Sequence, residues 1–349
     1  MSGAVVRRRL VVDLNSSAPT MALPAWGAAQ VRAAAPADWE VVVVSSPTDS
    51  SGDGTNAVSD ETRSLIGSAE AYFGYGLPGS LVQAAPALRW AHSASAGVGS
   101  SLTPELRASG VVLTNSAGVY AEAMADSVLA GVTYFVRGLD HAVHLQRERR
   151  WGKQAFQSSP FAVRELSELR VLVVGAGGIG SAVATRFSGL GAACTGVRRR
   201  PSLGVPPGFA AVVGVDGLEA ALPSADVLVL AAPLTESSRG VMDAHRLAVL
   251  PPGAIVVNVA RGALLDEVAL LRALDDGRLR GAYLDVFAEE PLAAGSPLWT
   301  HPRVLVTPHV SGVSPSRHWQ RALALFEENW RRWVAGEPLR NVVDPDAGY

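Results

Sequence analysis

The stretch RVLVVGAGGIGSAVATRFSGLGA, residues 170–192, contains glycines at a spacing that can bind phosphate groups. Gly175, Gly177 and Gly180 follow the order G-x-G-x-x-G, after a predicted strand and at the start of a predicted helix. The first glycine permits a tight turn, the second lets the backbone approach a pyrophosphate, and the third allows close helix–strand packing. The helix N-terminus faces the phosphate charge. A turn without a ligand is the alternative, but this context favours dinucleotide binding.

Arg198 and Arg199 follow the next predicted strand, in the stretch TGVRRRP. In dinucleotide-binding units this position meets the adenosine ribose, where an acidic residue binds the 2′-hydroxyl and an arginine accommodates a 2′-phosphate. No acidic residue occurs between Gly180 and Asp216. The alternative is a solvated turn without a ligand. Nearly every basic residue of this chain is arginine, since Lys153 is the only lysine, so a run of arginines need not indicate a binding site. We expect NADP(H) to be preferred, with NAD(H) possible.

Three polar segments lie at the carboxyl ends of later predicted strands, at the edge of the sheet where open α/β folds bind ligands. They are NVARG (258–262), LDVFAEEP (284–291) and TPHVSG (307–312). Arg261 offers a planar fork that suits a carboxylate, and Glu290 with His309 can form an acid–imidazole pair. Taken alone, each of these residues is more simply interpreted as a solvated surface side chain. Their common position downstream of the glycine loop favours an active site.

The elements that must position these residues alternate between short apolar runs and helical patterns. This rhythm predicts an α/β fold with parallel sheets covered on both faces. The polar segment 45–61 is predicted to be a mobile loop, and residues 120–147 to be one long helix. Aromatic residues spaced by three and four predict a last helix that Ser314-Pro315 opens and Gly336 closes. The predicted strands fall at 10–14, 39–44, 71–76, 88–93, 110–115, 170–175, 194–197, 226–233, 254–260, 281–287 and 303–309.

Composition and charge exclude several classes of protein. The 349 residues are 48% hydrophobic and 18% charged, which is ordinary for a folded domain and enough for two of them. A net charge of −2 provides no excess of positive charge that would indicate binding to nucleic acid or to an acidic membrane. Cys194 is the only cysteine, so no intrachain disulfide forms, and no apolar run is long enough for a signal core or a membrane span. A cytoplasmic protein without a metal site is expected.

From about Leu88 to Gly312 the chain resembles the D-isomer-specific 2-hydroxyacid dehydrogenases, particularly their glyoxylate and hydroxypyruvate reductase branch. The resemblance implies two doubly wound parallel-sheet domains. Residues 118–313 would form a Rossmann cofactor domain, and residues 1–117 with 314–349 a discontinuous, flavodoxin-like substrate domain. The matching stretches are LRWAHSASAGVGS, VLTNSAGVYAEAMADSVLAG, VVGAGGIGSAVA, ADVLVLAAPLT, VVNVARGALLDEVALLRAL, GAYLDVFAEEPL and SPLWTHPRVLVTPH.

The resemblance also implies roles for matched residues. Arg261 corresponds to the arginine that binds the substrate carboxylate and polarises its ketone, His309 to the general acid/base, and Glu290 to the carboxylate that orients it. The N–H groups of Ala96 and Gly97 correspond to the loop that binds the substrate carboxylate. Trp151, beyond the dimer-forming helix, corresponds to a residue that reaches the partner's substrate pocket, so a homodimer is expected. The predicted cofactor-binding residues are Gly175, Gly177, Gly178, Ile179, Gly180, Arg198, Arg199, Ala232, Pro233, Val259, Ala260, Arg261, Asp285 (on the nicotinamide side) and His309.

Two departures from the family pattern stand out. The substrate loop usually reads Ala-Gly-Val-Asp, whereas here Gly99 follows Val98, and the first 80 residues match weakly. The leading hypothesis is an oxidoreductase that reduces a small 2-keto acid, such as glyoxylate or hydroxypyruvate, to the D-2-hydroxy acid. A dinucleotide-sensing interaction protein resembling the C-terminal binding protein corepressors is one alternative. A phosphite-type dehydrogenase, which uses similar residues, is the other.

Overall fold

The computed structural model describes residues 7–48, 58–157 and 163–348, and the chain divides into two compact units. The first unit comprises residues 1–120 and 314–349, and the second comprises residues 121–313. Each contains one sheet in which every strand pairing is parallel, as the alternation of apolar runs and helical patterns predicts. No helix in the described ranges is long and apolar enough to cross a membrane.

The strands of the first unit are β1 (Arg8–Asp13), β2 (Trp39–Val43), β3 (Ala71–Gly74), β4 (Trp90–Ser93) and β5 (Val112–Asn115). They form a sheet with the order β2-β1-β3-β4-β5. The inner strands β3 and β4 are buried along their whole length, as expected for a parallel sheet that helices cover on both faces. The connecting helices are α1 (Ala25–Ala34), α2 (Asp60–Ile66), α3 (Gly79–Ala84) and α4 (Pro104–Ser109).

The strands of the second unit are β6 (Arg170–Val174), β7 (Ala193–Val197), β8 (Ala211–Val213), β9 (Val227–Leu230), β10 (Ile255–Asn258), β11 (Gly281–Leu284) and β12 (Val304–Val306). Their order in the sheet is β12-β11-β10-β9-β6-β7-β8, so the direction of winding reverses between β9 and β6. Ligands of doubly wound sheets bind outside the carboxyl ends of the strands at this reversal. The helices are α5 (Ala121–Val136), α6 (Leu139–Arg147), α7 (Gly178–Gly189), α8 (Leu218–Ala221), α9 (Ala244–Val249) and α10 (Glu267–Asp275).

The last helix, α11 (His318–Ala335), packs in the core of the first unit. Phe326 stacks on Phe73 with ring centroids 4.0 Å apart, and Trp330 meets Trp39 edge-on at 4.6 Å. The helix begins three residues after the predicted Ser314-Pro315 opening, and it ends where Gly336 adopts a left-handed backbone with φ 69°. Its aromatic stripe therefore faces β1, β3 and β4.

The prediction of one continuous helix over residues 120–147 is wrong. The helix breaks after Val136, because Gly138 adopts φ 67° and precedes α6 in a left-handed conformation. Arg280, 11% exposed, forms a two-pronged ion pair with Asp140 at 2.7 Å and donates to the Phe135 carbonyl at 3.0 Å. These buried contacts from the start of β11 stabilise the break.

Two further segments differ from the sequence-based expectations. The edge strand β8 is not among the predicted strands, since its three residues are too short to show a pattern. Within the predicted mobile loop 45–61, residues 49–57 lie outside the described ranges. At its ends, Ser59 caps α2, and the Glu61 carboxylate accepts hydrogen bonds from the Ser45 and Ser46 amides. A hydrogen bond from the Ser46 hydroxyl, together with those from the two amides, lowers the pKa of Glu61 to about 2.

Candidate active site

The glycine loop lies between the end of β6 and the start of α7. Gly175 has φ 109°, and a Cβ there would lie 2.5 Å from the backbone of Ala231 and Ala232 after β9, so only glycine fits. A Cβ on Gly180 would lie 2.0 Å from the Gly175 carbonyl oxygen, which explains why helix and strand can pack so closely. The requirement for glycine at positions 175 and 180 thus has a steric cause.

Gly177 differs, because a Cβ there would meet no atom within 4 Å. It precedes the first turn of α7, which has no side-chain cap and no acidic residue. The amides of Gly178 and Ile179 lie at the start of this helix, where unpaired N–H groups and the helix dipole favour an anion. These residues suit the pyrophosphate of a dinucleotide.

Four other predicted cofactor positions lie near this loop along the carboxyl edge of the same sheet. Ala232 and Pro233 follow β9, and Val259 and Ala260 follow β10. Both of the latter side chains are buried, and the Ala260 amide donates to the Asn258 side chain at 3.1 Å. The neighbouring β9 and β10 ends thus present backbone and small side chains beside the glycine loop.

Arg198 is the first residue after β7, and its amide donates to the Val213 carbonyl of β8 at 3.1 Å. Its guanidinium is part-exposed and donates to the Gly204 carbonyl at 3.4 Å, and it makes no ion pair among the described residues. Arg199 and Arg200 follow it and are exposed. This strand end therefore carries a cluster of positive charge that begins at Arg198.

His309 and Glu290 form a close pair. His309 Nδ1 lies 2.7 Å from Glu290 Oε2, while Glu290 Oε1 accepts from the Phe287 amide at 3.0 Å. Both of Glu290's oxygens are thus engaged, one by the backbone of its own turn and one by the imidazole. A hydrogen-bonded carboxylate stabilises the protonated imidazolium and fixes the orientation of the ring.

Arg261 is the N-cap of the short turn that follows β10, and its guanidinium Nη1 donates to the Ala260 carbonyl at 2.6 Å. Burial lowers the pKa of Arg261, and the attraction of Glu290 opposes that change. The guanidinium remains protonated at physiological pH. The structure therefore brings a partly desolvated cation into the electrostatic range of the Glu290–His309 pair.

Comparison with known proteins identifies this arrangement. The sequence profile of the D-isomer specific 2-hydroxyacid dehydrogenase NAD binding domain matches residues 129–311. The glyoxylate/hydroxypyruvate reductase A of Salmonella newport (strain SL254) is 36% identical over 228 residues, 65% of this chain and 69% of the relative. The chain belongs to the D-isomer specific 2-hydroxyacid dehydrogenase family. It is an NAD(P)-dependent oxidoreductase.

Solved structures of other family members have the same fold. The D-isomer specific 2-hydroxyacid dehydrogenase of Xanthobacter autotrophicus Py2, in complex with NADPH and MES, is 32% identical and covers 98% of this chain and 100% of its own, with a TM-score of 0.79. The NADPH-dependent glyoxylate/hydroxypyruvate reductase of Sinorhizobium meliloti, in complex with NADP and sulfate, is 26% identical with the same coverage and a TM-score of 0.76.

Asp285 holds the segment of this dehydrogenase that carries the histidine. Its carboxylate is fully buried and accepts from the Thr307 hydroxyl at 2.5 Å and from the Val310 and Ser311 amides at 2.9 Å. The Asp285 carbonyl accepts from the His309 amide at 2.9 Å. These bonds stabilise the left-handed backbone of His309, whose φ is 54°. The predicted contact of Asp285 with the nicotinamide stays a prediction.

Sequence reasoning assigned no role to Gly262, Glu267 or Thr307. A Cβ on Gly262 would lie 1.8 Å from the Phe287 carbonyl carbon, so only glycine lets the Arg261 turn cross the Glu290 turn. Glu267 accepts from the Ala288 amide at 2.6 Å, and burial, then the Glu290 charge, raises the pKa of Glu267. In the sequence, Glu267 follows the Arg261 segment by a few residues and Thr307-Pro308 directly precedes His309, and these were the available signals.

The remaining predicted residues lie elsewhere in the chain. Ala96 and Gly97 follow β4 in the first unit and are half-buried. Trp151 follows α6 in the second unit and is 94% exposed, and Leu139 at the start of α6 is 45% exposed. Among the described residues, no group of three or more His, Cys, Asp or Glu side chains could hold a metal ion.

Proposed function

We propose that this dehydrogenase reduces a small 2-keto acid, such as glyoxylate or hydroxypyruvate, to the D-2-hydroxy acid, with NADPH as the preferred reductant. The observation that carries the proposal is the His309–Glu290 pair at 2.7 Å beside a protonated, partly buried Arg261. All three residues follow strands at the edge of the sheet that also carries the glycine loop. A cation for the substrate's carboxylate and an acid for its ketone are what this reduction requires.

Arg261, His309 and Glu290 have different roles in the proposed reduction. A reduced nicotinamide cofactor, when bound, supplies the hydride. Arg261 binds the substrate carboxylate and polarises the ketone through its planar donor fork. His309 donates a proton to the ketone oxygen as that oxygen gains negative charge, and Glu290 stabilises the imidazolium before the transfer. In the reverse direction neutral His309 accepts the hydroxyl proton.

For the cofactor, we propose that the amides from Gly177 to Gly180 bind the pyrophosphate and that Arg198, supported by Arg199, binds the 2′-phosphate. The open space above Gly177 and the absence of an acidic residue between Gly180 and Asp216 support this assignment. The NADPH complex of the Xanthobacter relative and the NADPH dependence of the Sinorhizobium relative are consistent with it.

We also propose that the protein is a homodimer and that Trp151 contributes to the partner's substrate pocket. An indole exposed to 94% leaves a large apolar surface in water, which association would bury. Ala96 and Gly97 would bind the substrate carboxylate in the first unit. Light scattering at micromolar concentration measures the assembly directly, and a monomeric mass would contradict this part of the proposal.

A panel of 2-keto acids tests the function. Oxidation of NADPH and of NADH is followed by absorbance with glyoxylate, hydroxypyruvate, pyruvate and bulkier 2-keto acids, and the product's configuration is determined by chiral chromatography. We expect NADPH-dependent turnover and a D-2-hydroxy acid. Phosphite with NADP⁺ is the control reaction. Turnover of phosphite alone, or of no 2-keto acid, would overturn the proposal.

A further inference from the structure

In the segment after β4, the carbonyl groups of residues 94–96 accept hydrogen bonds from residues 115–120 of the same unit. The Tyr120 hydroxyl donates to the Ala94 carbonyl at 3.1 Å, and the Ser116 amide donates to the Ser95 carbonyl at 3.1 Å. The Asn115 side-chain amide donates to the Ala96 carbonyl at 2.7 Å. Three successive carbonyls are therefore bound from the β5 side.

A planar trans peptide points its C=O and the following N–H in opposite directions. The bond to the Ser95 carbonyl therefore orients the N–H of Ala96, and the bond to the Ala96 carbonyl orients the N–H of Gly97. Neither N–H has an acceptor in the described parts of the chain. The bond to the Ala94 carbonyl orients the N–H of Ser95, which already donates to the Ser93 hydroxyl at 3.1 Å.

Asn115 is itself rigidly held. Its side chain is buried, and its Oδ1 accepts from the Ala117 amide at 3.2 Å. Its backbone N–H donates to the Asn341 carbonyl at 3.2 Å, and its carbonyl accepts from the Asn341 side chain at 3.2 Å. The side-chain nitrogen of Asn115 can therefore face only the Ala96 carbonyl without breaking other hydrogen bonds.

We propose that Asn115 is a positioning residue for substrate binding: its side-chain amide fixes the Ala96–Gly97 peptide so that the Gly97 N–H is available to a substrate carboxylate oxygen. The inference rests on the proposed function, in which Ala96 and Gly97 bind that carboxylate. A hydrogen bond to the Ala96 carbonyl also polarises its peptide, which strengthens the N–H of Gly97 as a donor. This loop has Gly99 where the family pattern has an aspartate, and the hydrogen bonds that hold it come from residues at and after the end of β5.

Oxamate, an unreactive analogue of a 2-keto acid, provides the probe. Its dissociation constant is measured by calorimetry with the protein saturated with reduced nicotinamide cofactor. Asn115→Asp keeps the acceptor for the Ala117 amide but replaces the donor to Ala96 by an oxygen that repels it. We expect oxamate to bind about tenfold more weakly, as for the loss of one hydrogen bond to a charged group. The KM for the keto acid should rise by a similar factor, with kcat and cofactor affinity within about twofold.

Tyr120→Phe is the matched control, because it also removes one carbonyl hydrogen bond from the loop. The N–H that this bond orients belongs to Ser95 and is already used, so oxamate affinity should stay within about twofold of the parent. Equal weakening by both substitutions would indicate a general loosening of the loop and would overturn the inference. So would an Asn115→Asp variant that binds oxamate as the parent does.

A measurement on the parent protein covers the case in which Asn115→Asp does not fold. With ¹⁵N-labelled glycine, the Gly97 amide proton should move downfield when oxamate is added, and this signal is assigned by its disappearance in Gly97→Ala. An unmoved Gly97 signal at saturating oxamate would exclude the proposed contact. If the parent binds oxamate through Gly97 but reduces no 2-keto acid, the proposed function fails and the positioning role of Asn115 stands.

Discussion

His309 presents its imidazole from a left-handed backbone, a conformation that costs a non-glycine residue about 1–2 kcal/mol. Asn tolerates this conformation better than most residues, so His309→Asn removes the acid while keeping the backbone. We expect the turnover of 2-keto acids to fall by about 10²–10⁴-fold, the usual contribution of general acid catalysis. Cofactor affinity, measured by fluorescence, should be retained. Turnover close to that of the parent would show that another group donates the proton.

Glu290→Gln should have a different effect, because it removes a charge rather than the proton donor. The side-chain carbonyl of the introduced glutamine can still accept from the Phe287 amide, but nothing negative then stabilises the imidazolium. Protonated His309 is the reactive form in reduction, so we expect kcat for 2-keto acids to fall, but by less than in His309→Asn, with cofactor affinity retained. A kcat equal to that of the parent would contradict the role assigned to Glu290.

Arg198 should determine the choice between NADPH and NADH. A hydrogen bond to a charged group contributes about 1.5–3 kcal/mol, which corresponds to a preference of about tenfold to hundredfold. We expect Arg198→Asp to reduce the ratio of kcat/KM for NADPH over NADH by at least that factor, because the carboxylate also repels the 2′-phosphate. Arg200→Asp makes the same charge change in the same turn and should change the ratio much less. Equal effects would indicate general electrostatics instead.

The turns after β10 and β11 cross at Gly262, and this crossing joins the arginine to the acid–imidazole pair. In Gly262→Ala the added carbon would lie 1.8 Å and 2.3 Å from backbone atoms of Phe287 and Ala288, which cannot rotate away. We expect the turns to separate, a loss of about 1–3 kcal/mol in unfolding free energy as for overpacked sites, and a fall in kcat/KM of more than about tenfold.

The control for Gly262→Ala is Gly189→Ala in α7, where a Cβ meets no atom within 4 Å. Replacing a helical glycine by alanine at such a position stabilises by about 0.4–1 kcal/mol, chiefly by reducing the entropy of the unfolded chain. Its activity should equal that of the parent. Chemical denaturation and steady-state kinetics of both variants separate the steric effect of Gly262 from the general effect of adding a methyl group.

Two buried histidines of the first unit should limit the stability of the protein in acid. Burial lowers the pKa of His92 from 6.5 to about 3, and burial with the charge of Arg321 lowers the pKa of His318 from 6.5 to about 4. Below pH 6.5 the unfolded chain binds protons that the folded chain does not. The free energy of unfolding should therefore fall between pH 6.5 and pH 4, by about 1.4 kcal/mol per pH unit for each histidine.

His318→Phe tests this, because the Nε2 of His318 has no hydrogen-bond partner among the described residues. Urea titrations at several pH values should give a shallower dependence below pH 6.5 for this variant. The same substitution at exposed His245 is the control and should leave the slope unchanged. Parallel slopes for the parent and His318→Phe would assign the acid sensitivity to other groups.

Much of this architecture can be predicted from the sequence because it depends on local pattern. Runs of apolar residues indicate buried parallel strands, and the chain's alternation of such runs with helical stretches gave both sheets, except for β8. The glycine spacing after β6 and the polar residues after β10, β11 and β12 are also local features. The carboxyl ends of parallel strands lie at the same edge of a sheet. The sequence alone therefore predicts that Arg261, Glu290 and His309 lie near one another.

Contacts between distant parts of the chain required the folded structure. The break at Gly138 depends on buried Arg280, 140 positions after its partner Asp140 in the sequence. The need for glycine at position 262 arises from the backbone of Phe287, and the conformation of His309 from the carboxylate of Asp285. Likewise, the hold of Asn115 on Ala96 joins the ends of two strands. A sequence pattern records which face of an element is buried, but steric fit and hydrogen-bond geometry are set only when both partners are packed together.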